Sequence, residues 1–409
     1  MDVCFSSCAG FDVHRRTVVV CIITPRGQAT RTFGTFTADL EALAAWLEAE
    51  RITHVAMEAT GVYWKPIYNV LERVSSLTLW VVNAQHIKRV PGRKTDVQDA
   101  QWLADLLRHG LVNPRLIPDR AQRELRDHVR LRKQLTGART DAINRIHKTL
   151  EASNLQLSQV ASDILGVSGR RVLQALIDGE TDPTRLADAT TGRLQASPEQ
   201  LTAALHGHLT PVLRHLLQTN FAWVNTYDRT IGGLDEHITA ALEPHGNLLT
   251  RLATIPGVGR TTAELLLAEA GTDMSRFPTA HHFTAWAGFT ETGRSAGRTK
   301  QTTLAAIYQR IKGRRGANRA AIAVGRHQLL AAYYIIRDGT CYQEPDPGRP
   351  HHDTQRRLHR HVRQLAARGY GSPSNRYPKA SSWRTWVLLV QHGYRMALIN
   401  FVILHAIKL

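Results

Sequence analysis

Apolar and polar positions in the first 110 residues follow two different periods. Short runs rich in β-branched residues predict strands at 18–24, 53–58 and 77–83. Between these runs, apolar residues recur at helical spacing over 38–50 and 62–74. Strands that alternate with helices in this way predict an α/β domain with a mixed or parallel central sheet.

Longer helical patterns follow from about residue 119. Their apolar residues alternate spacings of four and three, which is typical of a coiled-coil seam. The first seam comprises Leu131, Leu135, Ala138, Ala142, Ile146 and Leu150, and the second comprises Leu213, Leu217, Phe221, Val224, Ile231, Leu234, Ile238 and Leu242. A shorter helical insert over 154–212 separates them, so we expect a coiled-coil arm, either an antiparallel hairpin or a dimerisation surface.

The first long helix also carries a basic run. Its members are Arg120, Arg123, Arg126, Arg130, Arg132 and Lys133. Such a run is ordinarily a solvated charged face, and it can also follow the backbone of a nucleic acid. The sequence favours neither interpretation over the other.

A glycine turn, IPGVGR, separates two helical patterns in a third region that begins near Leu252. Gly257 and Gly259 allow the backbone to approach a phosphate, which the amides of the next helix, beginning near Arg260, can bind. This is the arrangement of a helix-hairpin-helix. The alternative is an ordinary glycine turn between packed helices.

The net charge of the chain indicates the kind of partner that it binds. The 409-residue chain has a formal net charge of +18 at pH 7, and arginines recur along most of it. Such an excess favours a polyanion, with nucleic acid as the leading candidate, although a basic enzyme of unrelated function shares this property. The N-terminus lacks a signal-peptide pattern, and no apolar run reaches membrane-spanning length. We therefore expect a cytoplasmic, nucleoid-associated protein with reduced cysteines.

Two aspartates, Asp96 and Asp99, open the helical pattern in TDVQDAQWLADLL. Thr95 and Gln98 have the spacing of a capping box, which puts both acids on the first helical turn. Acids at a helix N-terminus also stabilise the helix by about 0.3–1 kcal/mol without any further role. Taken alone, this pair favours helix stabilisation over a catalytic role.

Two further carboxylates favour a metal site. Asp12 lies just before the turn into the first apolar strand, and Glu58 ends the strand THVAME. A carboxylate at the end of a buried strand is costly unless it is paired or binds a cation. RNase H-like nucleases build a magnesium site from carboxylates in this order. The predicted Mg²⁺ ligands are Asp12, Glu58, Asp96 and Asp99.

The stretches FDVHRRTVVVCI, MEATGVYW and VPGRKTDVQDAQWLADLL resemble the three blocks of the DEDD-type insertion-sequence transposases. Elements of that family also produce a bridge RNA, and the family is related to Piv-type DNA invertases. The resemblance continues to about residue 370. It implies an RNase H-like α/β catalytic domain at 1–115, an all-α coiled-coil arm with an insert at 116–248, and a mainly helical C-terminal transposase domain with a helix-hairpin-helix-like motif at 249–370. Residues 371–409 form an atypical tail.

The same resemblance implies a nucleophile and partners. The family's serine, followed by a small pair and a basic stretch, corresponds to Ser295 in ETGRSAGRTK. The implied activity is transposition or site-specific recombination of DNA, in which this serine attacks a phosphate beside bound Mg²⁺. The implied partners are the element ends, the target DNA, a bridge RNA and further copies of the chain in a homodimer or homotetramer. Candidate nucleic-acid contacts are Arg93, Lys94, Gly257, Gly259, Arg260, Arg294, Arg298 and Lys300.

The chain departs from the family pattern in two places. The basic stretch RTKQTTLAAIYQRI follows Ser295 almost at once, as though a segment were deleted, and the tail has no counterpart. Two alternatives therefore stay open: an RNase H-like structure-specific nuclease that uses water as the nucleophile, and a non-catalytic remnant that binds DNA or RNA. An actin-like or sugar-kinase ATPase is disfavoured because the sequence lacks a second DxG phosphate loop.

Overall fold

The structure is a computed structural model, which describes residues 2–59, 61–82, 96–161, 163–190, 196–287 and 302–344. In the helix that begins at Asp96, side chains are described from Gln98 onward. The predicted N-cap Thr95 and the predicted tail lie outside the described residues.

The first part of the chain folds into a five-stranded mixed sheet. Its strands are β1 (Cys8–Val13), β2 (Thr17–Thr24), β3 (Gly27–Gly34), β4 (His54–Glu58) and β5 (Thr78–Val82). Their order across the sheet is β3-β2-β1-β4-β5. β1 pairs antiparallel with β2 and parallel with β4, and β4 pairs parallel with β5. The predicted mixed α/β domain is confirmed, and the three predicted strands are β2, β4 and β5, whereas the apolar pattern does not single out β1 or β3.

Helices cover both faces of this sheet. They are α1 (Thr37–Ala49), α2 (Trp64–Leu71) and α3 (Asp96–Arg108). Because successive strand residues point to opposite faces, each central strand contributes to two cores. On β1, Phe11 and Val13 pack with α1 and α2, whereas Cys8 packs under α3. Burial on both faces explains why the strand sequences are continuous apolar runs.

Two long helices dominate the middle of the chain. In chain order the helices are α4 (Arg120–Ala152), α5 (Leu157–Val160), α6 (Val167–Asp178), α7 (Pro183–Asp188), α8 (Pro198–Ala204) and α9 (Pro211–Leu242). Arg132 near the start of α4 bonds Asp235 near the end of α9, while Arg145 further along α4 lies over Trp223. The two long helices are therefore antiparallel, which confirms the predicted hairpin and its helical insert. A supercoiled arm and a dimerisation role stay predictions.

One position of the predicted seam on α4 is wrong. Leu131 is 42% exposed, whereas the next residue, Arg132, is only 6% exposed. Arg132 donates hydrogen bonds of 2.7 Å to both Glu264 and Asp235. A charged side chain can occupy this interior position because acidic partners compensate for the loss of its hydration. Spacing alone could not distinguish it from its leucine neighbour.

The basic run on α4 also differs from both interpretations of it. Four of its six cations bind groups on other elements, so they are neither simply solvated nor available to a nucleic acid. These contacts join Arg123 to Glu72, Arg126 to the carbonyl groups of Ala268 and Glu269, Arg130 to the Glu269 carboxylate, and Arg132 to Glu264 and Asp235. The two remaining members, Arg120 and Lys133, are exposed, as a solvated face requires.

The last described part of the chain is helical. Its helices are α10 (Gly246–Leu252), α11 (Arg260–Ala270), α12 (Ala280–Ala287), α13 (Thr303–Arg315) and α14 (Ala317–Asp338). They share one apolar core with Leu125 and Val129 of α4 and with Ile238 of α9. This agrees with the predicted mainly helical region. Across the described residues, none of the helices combines the length and apolar character that crossing a bilayer requires.

Candidate catalytic site

Asp12 and Glu58 lie at the same edge of the sheet, near the ends of two adjacent parallel strands. The register of β1 and β4 pairs Gly10 with Ala56 and Phe11 with Met57. The next step in this register sets Asp12 beside Glu58. Because side chains alternate along a strand, Asp12 shares the face of Gly10 and Glu58 shares the face of Ala56, which packs against α3. Both carboxylates therefore belong to the α3 face of the sheet.

The backbone of α3 lies unusually close to β1 at Gly10. A Cβ atom added to Gly10 would lie 2.3 Å from the Ala104 amide nitrogen and 2.4 Å from the Ala100 carbonyl oxygen. Only glycine fits this contact without moving the helix or the strand. The position of Asp12 on β1 relative to Asp96 and Asp99 on α3 therefore depends on this close packing.

α3 runs antiparallel to β1. Cys4 near the start of the chain donates its backbone N–H to the Arg108 carbonyl at the end of α3, and Cys8 contacts the Ala104 carbonyl at 3.6 Å. Asp12 lies two residues beyond Gly10, or about 7 Å along the strand. The same distance along a helix is four to five residues at about 1.5 Å each. This spacing is consistent with Asp12 lying beside the first turn of α3.

That first turn carries the other two predicted ligands. Asp96 is the first residue of α3, as the sequence predicts, and Asp99, three residues further on, is exposed. The side chain of Asp96 lies outside the described residues. Among the side chains that the structure does describe, no three from His, Cys, Asp and Glu are grouped as a metal site would require. The structure therefore does not group the described carboxylates of Asp12, Glu58 and Asp99 as a metal site, and the four-carboxylate site stays a prediction.

His14 is a neighbour of Asp12 that the sequence argument missed. Its Nε2 atom lies 3.0 Å from Asp12 Oδ2, and the Asp12 side chain is only 11% exposed. The imidazole can hold the carboxylate in one orientation, as partners of metal-binding carboxylates do. The spacing DxH across a strand end was the available signal, because two residues apart on a strand share one face. The donor set is compatible with Mg²⁺, which prefers carboxylate oxygens.

Cys8 lies under the same helix, but it is not a candidate ligand or nucleophile. Burial raises the pKa of its thiol to about 11. The thiol is therefore protonated at neutral pH, and a thiol acts as a nucleophile or metal ligand in its deprotonated form.

The glycine turn predicted in the third region has the form of a helix–turn–helix connection. α10 ends at Leu252 and α11 begins at Arg260, with Gly257 at φ +83° and Gly259 as the N-cap. A Cβ on Gly259 would meet nothing within 4 Å, so open space surrounds this N-cap. Arg260 donates to Glu264 at 2.9 Å, which ties its guanidinium to its own helix. The hairpin is present, and phosphate binding by it stays a prediction.

Two models of transposase families match the chain. One, described as a transposase and built on DEDD transposases of the IS110 type, matches residues 9–154, which include the four predicted acidic ligands. The other, described as a transposase of the IS116/IS110/IS902 family, matches residues 249–334. Together they cover the sheet, α4 and the helices from α10 almost to the end of α14. The chain belongs to the IS110 family of transposases.

Two curated relatives agree with this membership. "Insertion element IS110 uncharacterized 43.6 kDa protein" of Streptomyces coelicolor is 28% identical over 309 residues, which cover 63% of this chain and 74% of the relative. "Transposase for insertion sequence element IS1111A" of Coxiella burnetii is 23% identical over 293 residues, covering 70% of this chain and 69% of the relative. Both alignments extend well beyond a single domain.

Several predicted site residues of this IS110-family chain lie outside the described residues. They are Arg93, Lys94, Arg294, Ser295, Arg298 and Lys300. In sequence, the serine segment connects α12, which ends at Ala287, to α13, which begins at Thr303. The second family match includes this segment.

Proposed function

We propose that this chain is a DNA transposase that cuts and rejoins DNA through a serine, assisted by an acidic magnesium site, to mobilise an insertion sequence. One observation carries the metal part of the proposal: Asp12 and Glu58 lie on the α3 face of adjacent parallel strands. The close packing of α3 on Gly10 supports a position for Asp96 and Asp99 next to them. Membership of the IS110 family supports the reaction class.

The chemistry follows from these residues. The ligands of Mg²⁺ would be Asp12, Glu58, Asp96 and Asp99, and the bound ion would stabilise negative charge on the scissile phosphate. Ser295 loses its hydroxyl proton, and its Oγ atom forms a bond to phosphorus as the bond from phosphorus to the 3′ oxygen breaks. The 3′ oxygen takes up a proton and leaves as a hydroxyl, and the 5′ end stays joined to the serine. Attack by a second 3′ hydroxyl reverses these steps and restores the diester.

The proposed partners are DNA, both element ends and target, and a bridge RNA that directs target choice. The net charge of +18 supports a polyanionic partner. Assembly as a homodimer or homotetramer is part of the same proposal, because recombination joins two DNA duplexes and each serine attacks one strand.

The test is a recombination assay with the flanking element DNA, using the full chain and two variants. Asp12→Asn keeps the size of the side chain and removes its charge, and Ser295→Ala removes the nucleophile. We expect both to lower recombination by about 100-fold or more, as when a preorganised stabilising group is removed. Denaturing electrophoresis with labelled DNA should show a covalent protein–DNA adduct with the unaltered chain and none with Ser295→Ala.

Asp141→Asn is the matched control, because Asp141 is exposed on α4, away from the sheet. It should recombine DNA like the unaltered chain. Adducts that persist in Ser295→Ala would show that another residue is the nucleophile. Cleavage into free ends without any adduct would instead favour the nuclease, in which water attacks the phosphate.

A further inference from the structure

The helical hairpin formed by α13 and α14 has an extreme charge composition. Together, α13 and α14 contain seven Lys and Arg residues and one acid, Asp338, which is the last residue of α14 and pairs with Arg337. The two helices pack on each other around Gly316, whose φ of +81° allows the tight reversal. The inner side of the hairpin is apolar and belongs to the core of the last region. Its charges are therefore confined to the outer side.

These cations differ from those of α4 in their partners. Six of them are exposed: Arg310, Lys312, Arg314, Arg315, Arg319 and Arg326. Among the residues that the structure describes, none of these six forms an ion pair with a carboxylate. On α4, by contrast, the arginines that face other elements have Glu or Asp partners. Within the described residues, positive charge that is paired on α4 therefore lacks a carboxylate partner at these six positions of the hairpin.

Helix stability explains only part of this charge. Lys312, Arg314 and Arg315 lie in the last turn of α13, where cations interact favourably with the helix dipole. Arg319 lies in the first turn of α14, where the dipole disfavours a cation and acids are preferred. A residue that weakens its own helix in this way calls for a partner outside the helix.

Cations of both helices affect the same side chain, His327. Partial burial, followed by the charges of Arg326 and Arg310, lowers the pKa of His327. Arg310 belongs to α13 and Arg326 to α14, so the positive field spans the two helices. Exposed cations on both helices of a hairpin suit a phosphodiester backbone, whose charges repeat every few ångströms.

We propose that the outer side of the α13–α14 hairpin binds the sugar-phosphate backbone of nucleic acid without reading its sequence. The binding rests on the function proposed above and deepens it, because it names a surface that holds the nucleic acid, yet it requires no cleavage. Double-stranded DNA and a structured RNA present the same phosphodiester chemistry. The experiment below distinguishes them.

The test measures binding of the full chain to a random-sequence DNA duplex and to an RNA hairpin, at several salt concentrations and without divalent ions. The variant replaces Arg314, Arg315 and Arg319 with Gln. Each lost phosphate contact makes the plot of log K against log salt shallower by about 0.9. Between 50 and 200 mM salt, the unaltered chain should therefore lose about 40-fold more affinity than the variant does. The variant and the unaltered chain should have the same midpoint of thermal unfolding, because all three replaced side chains are exposed.

The control removes the same number of charges from arginines that have acid partners. Arg120 pairs with Glu124, Arg185 with Glu180 and Asp182, and Arg276 with Asp273. When Arg120, Arg185 and Arg276 are replaced with Gln, the slope of log K against log salt should change by less than about one. An unchanged salt dependence in the hairpin variant, or an equal change in the control, would overturn the proposal.

The two ligands separate the sources of the phosphate. If the salt dependence becomes shallower for the duplex alone, the surface binds DNA. If it becomes shallower for the RNA hairpin alone, the surface binds RNA. Both results support backbone binding. Because the assay contains no divalent ion and scores no cleavage, an error in the proposed reaction leaves its outcome unchanged. Failure of the binding proposal would likewise leave the test of Ser295 intact.

Discussion

At the scale of single residues, the position of the acidic site depends on a glycine. Gly10 lies two residues before Asp12 on β1, and the backbone of α3 passes where its Cβ would be. A side chain here would push α3 away from the sheet, together with the aspartates of its first turn. Gly10 thus contributes to the site although it has no chemistry of its own.

We predict that Gly10→Ala destabilises the first domain and lowers recombination. The added methyl group meets backbone atoms at 2.3 and 2.4 Å, and backbone cannot rotate away as a flexible side chain can. Overpacking of this kind costs about 1–3 kcal/mol. Urea unfolding should report the loss in the free energy of unfolding, and the recombination assay should report displacement of the acids on α3.

Gly137→Ala is the matched control for this substitution. Gly137 is exposed in the middle of α4, and a Cβ there would meet nothing within 4 Å. Alanine should stabilise the helix by up to about 1 kcal/mol, since glycine loses more backbone freedom on folding. If Gly10→Ala unfolds at the same urea concentration as the unaltered chain, the close packing of α3 on β1 is wrong.

The sequence predicts the acids better than it predicts their arrangement. Asp12 and Glu58 could be identified because a carboxylate at a strand end needs a partner, and Asp96 and Asp99 because they open a helix. Asp12 and Glu58 share a face because of the register of β1 with β4, which is set by pairing between distant parts of the chain. The glycine in CAGFDV carried the only local signal of a close backbone approach.

At the scale of elements, the same contrast applies to the two long helices. The heptad-like spacing predicts that α4 and α9 pair, because apolar residues must be buried on one side. It does not predict Arg132 in the interior or Leu131 at the surface. The partners of Arg132 are on α9 and α11, so its burial follows from tertiary contacts that local spacing does not contain.

A second set of ion pairs joins α6 to both long helices. Asp228 on α9 accepts hydrogen bonds from Arg139 on α4 and from Arg170 on α6. Burial raises the pKa of the Asp228 carboxyl, but the hydrogen bonds and charges of the two arginines outweigh it and hold the pKa below its usual value. One carboxylate thus holds three helices together through its charge.

This arrangement predicts a specific dependence on pH. A carboxyl whose pKa is lower in the folded than in the unfolded state stabilises the fold above its unfolded pKa of about 3.8. That contribution disappears as the pH falls through the folded value. The difference in free energy of unfolding between the unaltered chain and Asp228→Asn should therefore be largest near pH 6 and shrink below about pH 4. Urea unfolding at a series of pH values measures it.

Asp141→Asn provides the comparison, since Asp141 is exposed on α4. Its difference from the unaltered chain should be small at every pH, as expected for a surface substitution. A difference for Asp228→Asn that stays constant from pH 6 to pH 3 would show that the charge of Asp228 does not hold the helices together.

At the scale of the whole molecule, α4 connects the sheet to the last helical region. Near its start, Arg123 donates to both oxygens of Glu72 at the end of α2, at 2.8 and 2.9 Å. One and two turns further on, Arg126 and Arg130 bind the end of α11 at Glu269. The sheet that carries Asp12 and Glu58 lies on one side of this connection, and the last helical region lies on the other. The arginines of α4 therefore set how the two regions meet.

We predict that Arg123→Gln weakens this connection and leaves each region folded. Arg123 and Glu72 are 16% and 21% exposed, so their hydrogen bonds are partly shielded from water. A hydrogen bond to a charged group contributes about 1.5–3 kcal/mol. Calorimetry should show one unfolding transition in the unaltered chain and two separated transitions in Arg123→Gln, because the sheet domain then unfolds independently.

Because the two residues contact each other, their substitutions should not add. Glu72→Gln should separate the transitions as Arg123→Gln does, and the double variant should be little worse than either single one. Arg120→Gln tests whether the loss of any charge on α4 has this effect. Arg120 forms its ion pair, at 3.0 Å, with Glu124 of the same helix. If Arg120→Gln and Arg123→Gln give the same single transition, then the ion pair between Arg123 and Glu72 does not hold the two regions together. Two transitions confined to Arg123→Gln and Glu72→Gln would instead locate the connection at the ion pair, one turn from the α11 contacts of the same helix.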